Sequence, residues 1–318
     1  MANRRSIVFS LVLCACALPG IALGADSAPT GLSAVKPRTP YRGALAVDAA
    51  TGAVLFQDNA DAKAHPASCT KMMTLLLVLE DLRAGRYALS DKVAASAYAA
   101  SFRGSSLGVK AGETLTVNDL LYALMIRSAN DGAVVLAEHS GGRLGEASLP
   151  EGESKRLVRA FVDRMNSRAQ ELGMKDTRFV SPNGMTPYRN QAYPGFDTST
   201  PADMAKLARH LVTMPEVFKY TSCPKRTIAM GDRKDISLVS HNYFLPDTRD
   251  PQKFASPVPG CDGLKTGFTD SAGASIVLTA QRDGRRVVAA VLGCAGRRAR
   301  ETAAAQILSA ALDAASAR

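Results

Sequence analysis

The chain has 318 residues, of which 46% are hydrophobic and 21% are charged, and its formal net charge is +10. This composition is that of a globular protein with a substantial core, and the length suits one large domain or two modest ones. The positive charge favours an anionic environment such as a cell envelope. We expect no nucleic-acid partner, because the C-terminal arginines have no aromatic residues between them.

The N-terminal segment has the pattern of a secretory signal peptide. Arg4 and Arg5 precede an uncharged stretch over residues 6–23, and Ala22-Leu23-Gly24 just before Ala25 is typical of a cleavage site after Gly24. An uncleaved anchor and a lipoprotein-type cleavage at LCAC are the alternatives. Export predicts a periplasmic or otherwise extracytoplasmic location. The predicted segments are a signal peptide over 1–24, a flexible leader over 25–40 and a catalytic domain over 41–318.

Removal of the signal leaves four cysteines, which are Cys69, Cys223, Cys261 and Cys294. They are too few and too irregularly spaced to form a disulfide framework, so we expect free thiols that pack as small hydrophobic groups. No run of histidines, cysteines or carboxylates has metal-ligand spacing. We therefore predict no metal.

The folded part is predicted to begin with a β-hairpin and a buried helix. Two short runs rich in Ala, Leu and Val flank Ala50-Thr51-Gly52, which is typical of a hairpin. Pro66 then stands where a helix can begin. The stretch SCTKMMTLLLVLEDLRAG runs to Gly85 with apolar residues on nearly all sides, as in a helix buried all round.

Several helices are predicted in the middle of the chain. Thr116 caps TVNDLLYALMI, the helix breaks at RSAND, and it resumes through GAVVLAEHSGG. The stretch ESKRLVRAFVDRMNSRAQELG is a long amphipathic helix that Gly173 ends, and Thr200 caps the helix in STPADMAKLARHLVTM.

The last third is predicted to form strands and one closing helix. GCDGLKTGFT precedes GASIVLTAQRDGRRVVAAVLG, in which Asp283-Gly284 marks a tight hairpin turn. The helix runs from about Arg300 to Ala317. Strands at both ends of the domain imply an α+β fold, with an antiparallel sheet packed between helices and an inserted helical region.

Ser68 and Lys71 stand three residues apart at the head of the first helix. Residues at this spacing share a helix face, so the amine can reach the hydroxyl, as in an activated serine nucleophile. The structural alternative is a capping serine beside a surface lysine, and S-x-x-K alone is a weak signal. Cys69 projects to another face and is expected to be a packed thiol.

Two further motifs follow in the chain. Ser128-Ala129-Asn130 is a polar break between two apolar helices, and Lys265-Thr266-Gly267 lies on the strand that opens the final hairpin. Taken singly, the first could be a plain interhelical turn and the second an exposed strand end. In this order, with S-x-x-K first, the three match the signature of penicillin-binding proteins and related β-lactamases.

From about Tyr41 onward the chain resembles the exported serine-type D-alanyl-D-alanine carboxypeptidases, which are low-molecular-mass penicillin-binding proteins. The matching stretches are PASCTKMMT, TVNDLLYALMIRSANDGAVVLAE, LGMKDTRFVSPNGM, STPADMAKLARHL, DGLKTGFT and the closing hairpin. The resemblance implies a penicillin-recognising serine transpeptidase/β-lactamase-like fold. It also implies removal of the terminal D-alanine from peptidoglycan stem peptides through an acyl-enzyme, inhibition by β-lactam antibiotics, and no cofactor.

The resemblance further implies roles for the motif residues. Ser68 would be the acylated nucleophile, Lys71 its general base, and Ser128 a relay of the proton to the leaving amine. The implied substrate-binding residues are Asn130 for the amide, Lys265, Thr266 and Arg300 for the terminal carboxylate, Gly267 for close approach, and Phe268, whose N–H completes an oxyanion hole with that of Ser68.

The two lysines need different charge states for these roles. A lysine is a base only if its pKa falls well below about 10.4, and burial beside a second cation, Lys265, pushes the pKa of Lys71 that way. Lys265 would remain the charged anchor. None of the four histidines belongs to a recognisable Ser-His-Asp arrangement, so we expect them to be structural or at the surface.

The chain also departs from the pattern of many such carboxypeptidases. It ends after its last helix, so no second β-rich domain and no C-terminal membrane anchor are expected, and residues 143–155 and 245–260 look like insertions. A DD-endopeptidase that cuts peptidoglycan cross-links, a β-lactamase and a non-catalytic wall-binding module are the alternative functions.

Overall fold

The computed structural model describes residues 41–142, 149–185, 195–231, 233–245 and 258–317. The predicted signal peptide, the leader, residues 143–148 of the first predicted insertion and most of the second insertion lie outside these residues. Within the described ranges, none of the helices combines the length and hydropathy needed to cross a membrane.

Nine strands are found in the described residues. They are β1 Gly43–Asp48, β2 Val54–Asp58, β3 Lys92–Ala94, β4 Thr114–Thr116, β5 Lys225–Met230, β6 Arg233–Val239, β7 Cys261–Thr269, β8 Gly273–Arg282 and β9 Arg285–Cys294. The same residues contain eight α-helices, which are α1 Lys71–Arg83, α2 Ala97–Ala100, α3 Val117–Tyr122, α4 Asn130–Ser140, α5 Glu151–Glu171, α6 Pro201–Leu211, α7 Val217–Thr221 and α8 Arg297–Ser316.

The main sheet joins the two ends of the described chain. Its strand order is β2-β1-β9-β8-β7, and each neighbouring pair is antiparallel. Both predicted hairpins are present. In the second, Asp283 and Gly284 have φ of 51° and 75°, the positive values that a two-residue hairpin turn of this type needs.

Each face of the sheet covers a separate apolar core. Because side chains alternate along a strand, Val277 and Val288 face the core that the sheet shares with α1 and with α3 to α6. Their neighbours Ile276 and Val287 face the second core, which α8 closes. The sheet is thus buried on both sides, as the predicted packing between helices requires.

Helix α1 begins slightly later than expected. Residues 67–70 form a 3₁₀ turn, and the α-helix starts at Lys71 and is buried on all sides over residues 71–79. Residues three apart are eclipsed in a 3₁₀ turn, so the predicted shared face of Ser68 and Lys71 is retained.

The predicted break at RSAND is confirmed. Helix α3 passes into one π-helical turn over Ala123–Arg127, and Ser128 then adopts a left-handed conformation with φ of 60°. Helix α4 begins at Asn130. The break therefore turns the chain at Ser128 and places Asn130 in the first turn of a new helix.

The predicted helix caps are also confirmed. Thr116 Oγ1 accepts the N–H of Asp119 at 3.0 Å, and Thr200 Oγ1 accepts that of Asp203 at 3.1 Å. The closing helix begins at Arg297, three residues before the predicted start. The β5–β6 hairpin was not predicted, because most of its side chains are exposed and polar and show no regular alternation.

Candidate active site

Ser68 and Lys71 meet as the motif predicted. Lys71 Nζ lies 2.9 Å from Ser68 Oγ, 2.8 Å from Asn130 Oδ1 and 2.6 Å from the carbonyl oxygen of Asn183. The S-x-x-K and serine-x-asparagine motifs are therefore joined at one amine. The lysine side chain is fully buried, whereas Ser68 lines an open cleft.

Burial and the nearby charge of Lys265 lower the pKa of Lys71 well below its ordinary value. A neutral amine has two N–H groups and one lone pair. Two of the partners, the amide oxygen of Asn130 and the carbonyl of Asn183, can only accept, so they use both N–H groups. The lone pair is then left for the hydroxyl proton of Ser68, which is the arrangement that a general base requires.

Asn130 is held rigidly beside this amine. Its Nδ2 donates to the carbonyl of Arg103 at 2.8 Å, and its backbone N–H donates to the carbonyl of Ser105 at 2.8 Å. Ser128, two residues earlier, is only 3% exposed and lines the cleft. Its Oγ has no hydrogen-bond partner among the described residues, so it is available to a bound molecule.

The third motif forms the opposite wall. Lys265 is 1% exposed on β7, and burial together with the charge of Arg300 lowers its pKa to about 8. Thr266 and Gly267 line the cleft beside Ser68. A Cβ on Gly267 would lie 2.6 Å from the carbonyl oxygen of Pro66, so only glycine allows β7 to approach the turn before the serine this closely.

The two remaining predicted residues also reach the cleft. Phe268 is 39% exposed and follows Gly267 on β7. Arg300 is 3% exposed and pairs with Glu301, its Nε donating to Oε2 at 2.6 Å, while its Nη1 donates to the carbonyl of Gly267 at 3.2 Å. Arg300 thus ties α8 to the strand that carries the third motif.

The cleft extends to both sides of Ser68. The half that contains Arg300, here called the Arg300 half, has a volume of about 310 Å³ and is also lined by Ser128, Thr266 and Arg297. The half that contains Asn130, here called the Asn130 half, has a volume of about 550 Å³. An extended peptide can therefore lie across the serine with a segment on each side of the reacting bond.

Sequence reasoning named the stretch that contains Asn183 but gave neither Asn183 nor Asp197 a role in the site. Asp197 is 3% exposed, and its Oδ1 accepts the N–H groups of Val180 and Ser181, at 2.6 and 3.0 Å. Its Oδ2 accepts the hydroxyl protons of Ser181 and Thr70. The Pro-Asn-Gly turn was visible in the sequence. Its contact with Lys71 was not, because Asn183 and Lys71 lie more than a hundred positions apart in the chain.

The structure also bears on the predicted roles of the cysteines and histidines. The four described cysteines are free, and burial raises the pKa of the Cys69 thiol to about 11, which favours the packed thiol that was expected. Among the described residues, no group of three or more histidine, cysteine or carboxylate side chains could hold a metal ion. Of the histidines, His241 lines the Arg300 half of the cleft, a position that the sequence did not indicate.

The chain is similar to several known proteins over most of its length. It is 32% identical over 269 residues to the D-alanyl-D-alanine carboxypeptidase DacF of Bacillus subtilis, which covers 84% of this chain and 61% of the relative. The chain thus spans about three fifths of the length of the curated relatives that it matches first.

Two solved structures have the same fold. A peptidoglycan synthesis regulatory factor (PBP3) from Streptococcus pneumoniae matches with a TM-score of 0.73 and 30% identity, over 87% of this chain and 74% of that one. Penicillin-binding protein D2 from Listeria monocytogenes, in its ampicillin-bound form, matches with a TM-score of 0.67 and 30% identity, over 85% and 97% of the two chains.

The predicted α+β fold and the predicted family are therefore confirmed. The family model described as D-alanyl-D-alanine carboxypeptidase matches residues 32–296, which include all three motifs. With this match and the 32% identical relative, the chain belongs to the D-alanyl-D-alanine carboxypeptidase family of serine peptidases.

Proposed function

We propose that the protein is an extracytoplasmic serine DD-carboxypeptidase that removes the terminal D-alanine from peptidoglycan stem peptides. The observation that carries this proposal is the contact of Lys71 Nζ with Ser68 Oγ and with two groups that can only accept hydrogen bonds. A buried neutral amine held beside a cleft-lining serine is an acylation site, and a protein that only bound peptide would gain nothing from it.

The first step is attack by Ser68 on the carbonyl carbon of the penultimate D-alanine. The hydroxyl proton passes to Lys71 Nζ as the bond from Oγ to carbon forms. The backbone N–H groups of Ser68 and Phe268 stabilise the oxyanion of the tetrahedral intermediate. Asn130 holds the substrate amide on the donor side of the serine.

The intermediate then collapses to an ester on Ser68. The proton held by Lys71 passes through the Ser128 hydroxyl to the leaving nitrogen, and D-alanine departs. The unpartnered Oγ of Ser128 in the cleft supports this relay. Water attacks the ester in the second half of the reaction, which releases the tetrapeptide and regenerates the Ser68 hydroxyl.

Recognition of the terminal carboxylate belongs to the Arg300 half of the cleft. Thr266 donates a hydrogen bond there, and Lys265 and Arg300 supply positive potential close to it. A β-lactam carries a carboxylate and a strained amide at matching positions, so we expect it to acylate Ser68. The ampicillin-bound relative supports this expectation.

The test compares the protein with its Ser68→Ala variant on a D-alanyl-D-alanine pentapeptide and on a cross-linked muropeptide dimer, with mass spectrometry of the products. We expect loss of one alanine from the pentapeptide, an intact dimer and no turnover by the variant. Labelling by a fluorescent penicillin should depend on Ser68 in the same way.

The other outcomes assign different functions. Splitting of the dimer would make the protein a DD-endopeptidase, and rapid release of hydrolysed penicillin would make it a β-lactamase. Binding of peptide or penicillin without any Ser68-dependent turnover or labelling would contradict an enzymatic function.

A further inference from the structure

Arg300, the arginine expected to bind the substrate carboxylate, is already occupied. Its Nε and Nη2 donate to the two carboxylate oxygens of Glu301, at 2.6 and 2.5 Å. Its Nη1 donates to the carbonyls of Gly267 and Ser275, at 3.2 and 3.4 Å. Four of its five N–H groups have partners, and Glu301 offsets part of its charge, so Arg300 has little left to offer a substrate carboxylate.

Arg297 lies one helical turn earlier on α8 and is placed differently. It lines the same half of the cleft as Ser68 and Thr266, it is exposed, and no carboxylate pairs with it among the described residues. Its guanidinium stands over the ring of Phe268, with 4.9 Å between the guanidinium carbon and the ring centroid. The ring holds the guanidinium by a cation–π contact and leaves its N–H edge free for an anion.

The position of Arg297 is unfavourable for the helix itself. It is the first residue of a 20-residue helix, and the first turn contains no acidic residue. A cation at a helix N-terminus opposes the helix dipole and lowers stability. The contact with Phe268 offsets part of this cost, and among the described residues no carboxylate pairs with the guanidinium to offset the rest.

We propose that Arg297 is a specificity-determining residue that binds the terminal carboxylate of the substrate together with Thr266. This inference rests on the proposed function of the cleft. Arg300 and Glu301 then act as a positioning pair that holds the Gly267 carbonyl and thus the strand beside Ser68. The direct, charge-assisted contact to the substrate comes from the free guanidinium.

The experiment uses two peptides that both end in D-Ala-D-Ala, one with a free C-terminal carboxylate and the other with a C-terminal carboxamide. The variants are Arg297→Ala, Arg297→Lys and, as a control, Arg298→Ala. Arg298 is also exposed in the first turn of α8 but does not line the cleft. Its removal therefore changes the net charge and the repulsion at the helix N-terminus as much as removal of Arg297 does.

We expect Arg297→Ala to lower kcat/KM for the carboxylate peptide about 10-fold or more, as loss of a charge-assisted hydrogen bond would. The carboxamide peptide should change less than about twofold, because it offers no charge to the guanidinium. Arg297→Lys should recover part of the loss, and Arg298→Ala should be near wild type on both peptides. The thermal midpoint of Arg297→Ala should be close to that of wild type, because relief at the helix N-terminus offsets loss of the contact with Phe268.

Equal losses on the two peptides, or equal effects of Arg297→Ala and Arg298→Ala, would overturn the assignment of Arg297. The rates of acylation by penicillin and by its methyl ester are a second test of carboxylate binding by Arg297, and this test does not depend on peptide turnover. If wild type cleaved neither peptide, the proposed carboxypeptidase function would fail. The role of Arg297 would still be tested, because Arg297→Ala should slow acylation by penicillin and leave acylation by its methyl ester almost unchanged. Absence of acylation of the wild type would overturn both.

Discussion

Two buried lysines share the active site, and burial lowers the pKa of both. For Lys71, the charge of Lys265 adds to burial, and its amine contacts no carboxylate within hydrogen-bond distance among the described residues. For Lys265, the positive charge of Arg300 adds to burial, and the pKa is about 8. The sequence indicated this division between a neutral base and a charged anchor, because the two motif lysines were expected to share one buried site.

The pH dependence of acylation follows from these shifts. The reaction needs Lys71 unprotonated and Lys265 protonated, so kcat/KM should rise as Lys71 loses its proton and fall above pH of about 8 as Lys265 loses its own. The measurement is the second-order rate of penicillin acylation across pH. In Lys265→Arg the alkaline limb should move to higher pH, because a guanidinium stays protonated there.

An alkaline limb that stayed in place in Lys265→Arg would contradict the assignment of that limb to Lys265. An acid limb near the ordinary lysine pKa of about 10.4 would contradict a lowered pKa for Lys71.

At the scale of the structural elements, one strand and one turn pack closely against the turn that carries the nucleophile. Ala67, just before Ser68, has φ of 49°, an unusual value for a residue with a side chain. Gly267 approaches this turn from β7 and Gly184 from the segment that Asp197 holds. The position of Ser68 is therefore set by contacts from two segments that are distant in sequence.

Gly184→Ala should remove most of the acylation activity. A Cβ there would lie 1.9 Å from the carbonyl oxygen of Ala67, so the turn before Ser68 or the loop carrying Asn183 must shift. We expect the rate of penicillin acylation to fall at least about 100-fold, because a misplacement of about 1 Å in the reacting groups has effects of this size.

Gly173→Ala is the matched control. Gly173 also has positive φ, at 70°, but a Cβ there meets nothing within 4 Å. It should cost about 1 kcal/mol of stability from backbone strain and leave acylation unchanged. Similar acylation rates in the two variants would show that the close approach of Gly184 does not position the nucleophile.

At the scale of the molecule, the sheet separates two apolar cores, and only one of them supports the catalytic residues. The core on one face surrounds α1 and therefore supports Ser68 and Lys71, whereas the core on the other face lies between the sheet and α8. The active-site cleft is formed where the edge strand β7, the turn before α1 and the start of α8 come together.

Leu308→Ala should therefore affect stability and not chemistry. Leu308 is fully buried in the core under α8, more than two helical turns beyond Arg300, and its truncation should lower the free energy of unfolding by about 2–4 kcal/mol. Below the denaturation transition, the acylation rate should remain within about twofold of wild type. Urea denaturation and penicillin acylation measure the two quantities, and a large loss of acylation in folded protein would contradict this separation.

The sequence by itself determined the family, the three motifs and most of the fold. These features depend on local rules: the capping threonines, the Asp283-Gly284 turn and the all-round apolar run of α1 each predict their structure from neighbouring residues. The β5–β6 hairpin escaped prediction because a mostly exposed hairpin has no hydrophobic period to detect.

Only the tertiary structure decided how the motif residues are held and which charges remain free. The Asn183 carbonyl reaches Lys71, Asp197 fixes that segment, and Glu301 occupies Arg300 while Arg297 faces the cleft. The physical reason is that hydrogen-bond partners and burial come from segments far apart in sequence. Adjacent residues such as Arg297 and Arg298 look alike until packing gives one of them a place in the cleft.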